Sequence, residues 1–335
     1  MEELCMLTKK QNLLETIRGG HPDRYVNQYE AIAMVYGTPY SAGNPMPVMG
    51  GPAVKNAWGV TISFPEGMPG PFPVHDEEHI VCKDVAHWRD YVKAPNVIFT
   101  PEEWEPFVKE AEKIDRNEYF VAPFIAPGIF EQCHYLLEIQ NCMMDFYEEP
   151  EAMHELVDYI TDWELAYAAE ICKYLKPDAI FHHDDWGSQQ SSFLSVDMFR
   201  EYYLDAYKKV YGYYKDHGVQ LIVHHSDSYA ANLVPSMIEM GIDIWQGVMS
   251  TNNIPELIKE YGGQITFMGG IDSGKVDKPD WTRENIAKVV EEACQANGTK
   301  YYIPCNTMGG PESIYPGVYE TISEEIAKVS DRIFK

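Results

Sequence analysis

The sequence predicts a (β/α)8 barrel with an irregular N-terminal elaboration, and three observations support this fold class. Short apolar runs typical of strands alternate with helical patterns about eight times along the chain. No Gly-x-Gly-x-x-Gly fingerprint follows any of these runs, so a dinucleotide-binding fold has no support. Polar residues directly follow the apolar runs, and in such a barrel these ends of the strands converge on one mouth. These polar segments are 182–186, 224–228, 269–272 and 304–307.

The N-terminal third predicts one helix, one strand and a long irregular segment. Apolar residues at helical spacing predict a helix over 7–18, which Gly19-Gly20 ends. Tyr25–Tyr29 is the predicted first strand. Residues 37–75 are rich in Gly and Pro and carry several aromatic residues. This segment is either a lid or binding loop, or a solvent loop that only wraps the barrel.

The rest of the chain continues the alternation. Thr100-Pro101-Glu102-Glu103 is a capping box with Pro at the first helical position, so a helix starts there. We expect one domain over 1–335, with the elaboration and first strand in about 1–100 and the main barrel in about 119–335. The further predicted strands are 119–125, 178–181, 220–223, 242–245, 264–268 and 300–303, and the helices are 130–176 (interrupted at 149–150), 195–216, 230–239, 254–261, 282–296 and 313–333.

The composition of the chain limits the classes of binding partner that we expect. A formal net charge of −26 repels nucleic acid and anionic lipid, which bind through Lys and Arg. No apolar run is long enough for a membrane span, and no signal peptide opens the chain, so a cytoplasmic protein is expected. The seven cysteines are scattered and odd in number, which favours reduced thiols over disulfides. A homodimer is compatible with these features.

The strongest candidates for metal ligands follow two of the strands. His224, His225 and Asp227 come at the end of one apolar run, and Cys305 follows another. Because neighbouring strand residues face opposite sides, only one of the two histidines can point into the barrel. Imidazole, carboxylate and thiolate groups brought to one mouth are the ligands that zinc prefers. The sequence therefore predicts a zinc site that includes His224 and Cys305.

A second polar cluster, residues 182–185, is a candidate for catalysis. Asp184 and Asp185 are neighbouring carboxylates that would raise each other's proton affinity, which suits a general acid or a group that orients a histidine ligand. His183 is assigned to the same catalytic cluster, and helix capping is the structural alternative. Four further residues are candidate cofactor-binding groups that line the mouth, although Asp272 could equally cap a helix. These four are Asn27, Gln28, Gln246 and Asp272.

Taken together, these residues resemble the uroporphyrinogen decarboxylase superfamily, which includes corrinoid-dependent methyltransferases. The resemblance covers nearly the whole chain and implies a (β/α)8 barrel. The matching segments are Gly-Gly-His-Pro-Asp-Arg (19–24) after the opening helix, Asp-Asp-Trp-Gly-Ser-Gln-Gln (184–190), Lys-Asp-His-Gly-Val (215–219), His224 with the residues after it, Met-Gly-Gly-Ile-Asp (268–272) and Cys305.

The two branches of this superfamily imply different sites. The decarboxylase branch holds a polycarboxylate with arginines, including an Arg-Gln pair where this chain has Asn27-Gln28, and the acidic surface disfavours such a substrate. The methyltransferase branch binds zinc through a His-x-Cys pair and a later Cys. Here the pattern matches at His224 and Cys305, with Ser226 in the middle position. The missing ligand would come from Asp227, His225 or the 182–185 cluster.

The resemblance therefore implies a zinc-dependent methyltransferase. It would move a methyl group from a small O-methyl donor, such as a methoxylated aromatic compound, to the cobalt of a corrinoid held by a transient partner protein. Two alternatives stay open: a metal-free decarboxylase of a smaller acid, and a barrel that binds a corrinoid without catalysis.

Overall fold

The computed structural model describes residues 6–334, which form strands and helices in alternation. Seven parallel strands form one curved sheet in the order β1-β5-β6-β7-β8-β9-β10, and β2–β4 form a small antiparallel sheet. The ten strands within the described residues are β1 (Ile32–Val35), β2 (Val54–Lys55), β3 (Thr61–Ser63), β4 (Phe72–Pro73), β5 (Phe120–Ile125), β6 (Ala179–His183), β7 (Leu221–His225), β8 (Ile244–Val248), β9 (Thr266–Ile271) and β10 (Tyr302–Asn306).

Helices connect these strands and cover the outside of the sheet. A π-helical turn, Arg200–Leu204, joins α7 to α8. Between residues 6 and 334, no helix combines the length and the apolar character that crossing a membrane requires. The α-helices in that range are α1 (Lys9–Arg18), α2 (Pro39–Gly43), α3 (Pro101–Ala111), α4 (Ile129–Leu137), α5 (Ile139–Glu148), α6 (Pro150–Leu175), α7 (Val196–Phe199), α8 (Asp205–Asp216), α9 (Val234–Met240), α10 (Ile254–Tyr261), α11 (Ser273–Val276), α12 (Arg283–Asn297) and α13 (Val318–Ile333).

The chain forms the predicted (β/α)8 barrel, although its first position is irregular. Tyr25–Tyr29, the predicted first strand, is not a regular strand, and that detail of the prediction was wrong. The segment nevertheless lies beside β10, because the Gln28 amide donates to the Pro304 carbonyl at 3.2 Å. It continues into β1, which pairs with β5. Residues 25–28 thus connect the last strand of the sheet, β10, to the first strand, β1.

Alternation along the strands separates two apolar cores. Side chains of one parity fill the barrel interior, and those of the other parity pack under the helices. On β7, Val223 belongs to the interior together with Cys305, whereas Ile222 packs under the helices. By the same parity His225 faces inward and His224 faces outward. This parity decides which of the predicted site residues can meet.

Part of the irregular N-terminal segment packs on the barrel. Trp58 is 4% exposed and lies edge-on to Trp163 of α6, with ring centroids 5.1 Å apart. Val60 and Ile62 are buried in the same core. The segment therefore packs against the barrel around β3, while Phe72 on β4 stays exposed.

The predicted capping box is present at the start of α3. Thr100 accepts from the Glu103 amide at 3.3 Å, and the Glu103 carboxylate accepts from the Thr100 amide at 2.8 Å. We expect Thr100→Ala to lower the free energy of unfolding by about 1 kcal/mol, because the Glu103 N–H loses its acceptor. The midpoint of urea unfolding measures this effect, and an unchanged midpoint would show that the cap does not stabilise α3.

Candidate metal centre

Three side chains at the mouth of the barrel bring potential metal ligands together. His183 is the last residue of β6, Asp185 follows two residues later, and His225 is the last residue of β7. The parallel register places His183 beside His225, and their rings stack with centroids 4.4 Å apart. One ligand atom from each of the three lies within 4.8 Å of the others. The carboxyl ends of two adjacent strands therefore create the group.

Hydrogen bonds orient both imidazoles. His183 Nδ1 donates to Glu131 Oε2 at 3.0 Å, and His225 Nδ1 donates to Gln246 Oε1. The Gln246 amide has only one orientation available, because its Nε2 donates to the carbonyls of Asn306 at 3.2 Å and Met308 at 3.0 Å. We therefore assign the protons of these bonds to Nδ1, so Nε2 is the nitrogen of each ring that could bind a metal ion. His225 Nε2 lies 3.9 Å from Asp185 Oδ1.

The donor set and the space around it fit a divalent metal ion. Two imidazoles and one carboxylate are ligands of catalytic zinc sites that keep a position open. The side chains of His183 and Asp185 are 24% and 28% exposed, so the group opens toward the mouth. Gly309 borders it, and a Cβ there would lie 2.9 Å from His183 Cδ2 and 3.3 Å from His225 Nε2. The absence of a side chain at position 309 keeps this space free.

The electrostatic environment also favours a cation. Burial lowers the pKa of His225 to about 4, so its Nε2 lone pair is free near neutral pH. For His183, burial lowers the pKa, but Glu131, Asp185 and Asp227 outweigh it and raise the value to about 10, so a metal ion that binds at Nε2 would displace a proton. The pKa of Asp227 is raised by burial and by the neighbouring Asp185 carboxylate. The Asp227 amide donates to Asp185 Oδ1 at 2.9 Å and so orients that carboxylate.

The structure does not bring His224 and Cys305 together, which corrects the arrangement expected from the sequence. His224 faces the helices: its Nδ1 accepts from the Tyr211 hydroxyl at 2.8 Å, and its Nε2 donates to the Asp184 carbonyl at 3.2 Å. Trp186 stacks on the ring at 3.9 Å. Both nitrogens are thus occupied, and the imidazole that faces the barrel interior is His225.

Cys305 lies in the barrel interior but outside the group of three. Its Sγ is 4.0 Å from Gln246 Nε2, so it contacts the amide that orients His225. Burial raises the pKa of the Cys305 thiol, and this favours the protonated form in the metal-free protein. Cys305 is also part of β10, whereas the sequence placed it just beyond a strand.

Most of the other predicted site residues bind groups of the protein itself. Asp184 accepts from the amides of Phe130 and Glu131 and does not reach the metal-binding group. Of the predicted cofactor-binding residues, only Gln246 contacts the site. The other three are engaged as follows: Asn27 Nδ2 donates to the Ser323 carbonyl at 2.8 Å, Gln28 Nε2 donates to Ser323 Oγ at 2.6 Å, and Asp272 accepts from the Ser250 amide at 2.8 Å.

Three residues that bond to the predicted site residues were not identified from the sequence. Glu131 follows β5 by six residues, and its position after a strand was the available signal. Tyr207 and Tyr211 on α8 are both fully buried, and their hydroxyls bond to Asp184 and His224. Their i, i+4 spacing, together with Val210 at i+3, was the available signal for a buried helix face.

Comparisons with known proteins agree with this fold. The sequence model of the uroporphyrinogen decarboxylase (URO-D) family matches residues 53–308. A methyltransferase from Methanosarcina mazei is similar in structure, with a TM-score of 0.66 and 15% identity over 98% of this chain and 100% of that chain. A GH18 chitinase from Pseudoalteromonas aurantia gives a TM-score of only 0.36, with 11% identity over 70% and 83%. No curated protein sequence matches the chain. Because the match extends over most of its length, the chain belongs to the uroporphyrinogen decarboxylase family.

Proposed function

We propose that this protein is a zinc-dependent methyltransferase that moves a methyl group from an O-methyl donor to the cobalt of a corrinoid on a partner protein. The observation that carries the proposal is the group formed by His183, Asp185 and His225 at the barrel mouth. Family membership and the structural likeness to a protein named as a methyltransferase are consistent with it.

Three residues of the site would bind the metal ion, and two others orient the histidine rings. His183, Asp185 and His225 would hold the metal, while Glu131 and Gln246 keep the two rings turned toward it. A bound zinc ion supplies a Lewis acid for the oxygen that leaves with the demethylated product. The barrel interior below the group is apolar, so it limits the access of water from that side.

Aromatic side chains beside His183 support an aromatic donor. The Phe124 ring lies 6.2 Å from the His183 ring, and Tyr36 lies 5.3 Å from Phe124. Tyr36 is 53% exposed, so this pair offers a surface at the mouth on which a planar ring can pack. Because Asp185, Asp227 and Glu131 lie close together, we expect neutral methoxyphenols to bind better than methoxybenzoates.

The same acidic groups disfavour the decarboxylase alternative. A polycarboxylate would meet the carboxylates of the mouth, and the Asn27-Gln28 pair that replaces the expected Arg-Gln is bound to α13. The repulsion between carboxylates is strongest where they lie close together and water is excluded.

The test is methyl transfer to free cob(I)alamin from a panel of methoxyphenols and methoxybenzoates. We expect methylcobalamin to form with the zinc-loaded protein, to fall to background after chelation, and to return when zinc is added. Full activity in the metal-free protein would contradict the proposal. Corrinoid binding without transfer from any donor would favour the non-catalytic alternative, and release of CO2 from a carboxylated substrate would favour the decarboxylase.

A further inference from the structure

The start of α4 is fastened to the end of β6 by several hydrogen bonds. The Gly128 amide donates to the His183 carbonyl at 2.7 Å. The amides of Phe130 and Glu131 donate to the two oxygens of the Asp184 carboxylate at 3.0 and 2.8 Å. The first turn of α4 therefore has its position set by residues that adjoin the metal-binding group.

The fit at this junction is close. A Cβ at position 128 would lie 2.5 Å from Asp184 Cβ and 2.6 Å from Asp184 Oδ2, so only glycine allows the approach. The Tyr207 hydroxyl donates to the same Asp184 oxygen from α8. Asp184 is fully buried, and all these contacts are shielded from water.

We infer that Glu131 is a positioning residue for His183, and that Asp184 in turn positions Glu131. The inference rests on the proposed metal centre. Glu131 is 6% exposed and accepts the Nδ1 proton of His183, which fixes the rotation of the ring and directs Nε2 toward Asp185 and His225. Asp184 holds the backbone of Glu131 in place through the amide contact. A predicted catalytic carboxylate thus acts through the helix that it anchors.

A purely structural role makes a different prediction. If Asp184 only caps α4, its loss lowers stability and leaves metal affinity unchanged. If it positions Glu131, metal affinity falls in Asp184→Asn and in Glu131→Ala together. Glu131→Gln should lose less than Glu131→Ala, because an amide oxygen still accepts the Nδ1 proton. Thr100→Ala is the matched control, since it removes a helix cap far along the chain from the site.

The first measurement is zinc affinity by competition with a chromophoric chelator. We expect Glu131→Ala to bind zinc about 10- to 100-fold more weakly, Asp184→Asn and Glu131→Gln to fall between it and the wild type, and Thr100→Ala to match the wild type. Equal affinities in all variants would overturn the inference.

The second measurement needs no metal. In protein with 15N-labelled histidine, the Nδ1–H of His183 bound to Glu131 should give a slowly exchanging downfield proton signal, identified by its loss in His183→Gln. We expect the signal to vanish in Glu131→Ala, to weaken in Asp184→Asn and to persist in Thr100→Ala. Persistence in Glu131→Ala would refute the positioning role. If the wild type shows this dependence but binds no zinc, the proposed function fails while the positioning role stands.

Discussion

His225→Ala should remove metal binding, whereas His224→Ala, one residue earlier, should leave it in place. The two histidines are a matched pair, because both lie on β7 and are at most 1% exposed. His225 contributes one of only three ligands in the group, and its loss should weaken zinc binding by about 100-fold or more, beyond the effect of losing an orienting partner. His224 has both nitrogens bonded to other groups.

The measurement is the zinc content of folded, size-purified protein after dialysis against a fixed free zinc concentration, together with methyl transfer. His224→Ala should lower stability, since the Tyr211 hydroxyl loses the nearer of its two acceptors and Trp186 loses its stacking partner. The opposite result, in which His224→Ala binds no zinc and His225→Ala is loaded with zinc, would contradict this prediction. It would support the pattern expected from the sequence, with His224 as the ligand.

This pair of histidines also shows which parts of the fold and the site could be predicted from the sequence. The alternation of apolar runs and helical patterns was sufficient for the barrel, and the capping box located the start of α3. The predicted strands 178–181 and 220–223 ended two residues early, however. The sequence indicated that only one of His224 and His225 can point into the barrel, but not which one. In fact β6 and β7 include the histidines, and strand parity then decides their direction. Strands that are buried on both faces lack the alternation that would reveal this parity.

The contacts of the orienting groups, Glu131 and Gln246, could not be derived from local patterns. Glu131 and His183 are 52 positions apart, and their contact depends on how α4 packs against β6. Gln246 was identified as a wall of the pocket, but its role depends on which way the amide points. That direction is set by the carbonyls of Asn306 and Met308, which belong to a distant part of the chain. Such contacts follow from the tertiary structure alone.

Gly309→Ala should reduce both metal binding and methyl transfer strongly, even though it adds a single methyl group. A Cβ at this position would lie 2.9 Å from His183 Cδ2, 3.2 Å from His183 Nε2 and 3.3 Å from His225 Nε2. His183 is held from behind by Glu131 and His225 by Gln246, so neither ring can withdraw without breaking a buried hydrogen bond. The methyl group would also occupy space that a donor needs at the open position. We expect zinc affinity to fall by about tenfold or more, which corresponds to one broken orienting contact.

Gly310→Ala is the matched control for this substitution, because it lies next in the same loop. The nearest atoms to its Cβ would be the Tyr36 hydroxyl at 3.3 Å and Glu312 Oε1 at 3.6 Å, both at the ends of side chains that can move. Gly310→Ala should therefore keep the zinc affinity of the wild type. Zinc competition compares both variants with the wild type. Methyl transfer to cob(I)alamin is measured for Gly309→Ala alone, because a Cβ at position 310 would contact Tyr36 of the donor surface. A wild-type zinc affinity in both variants would mean that the metal does not bind beside Gly309, because a methyl group placed between two ligand nitrogens cannot leave a metal site there unaffected.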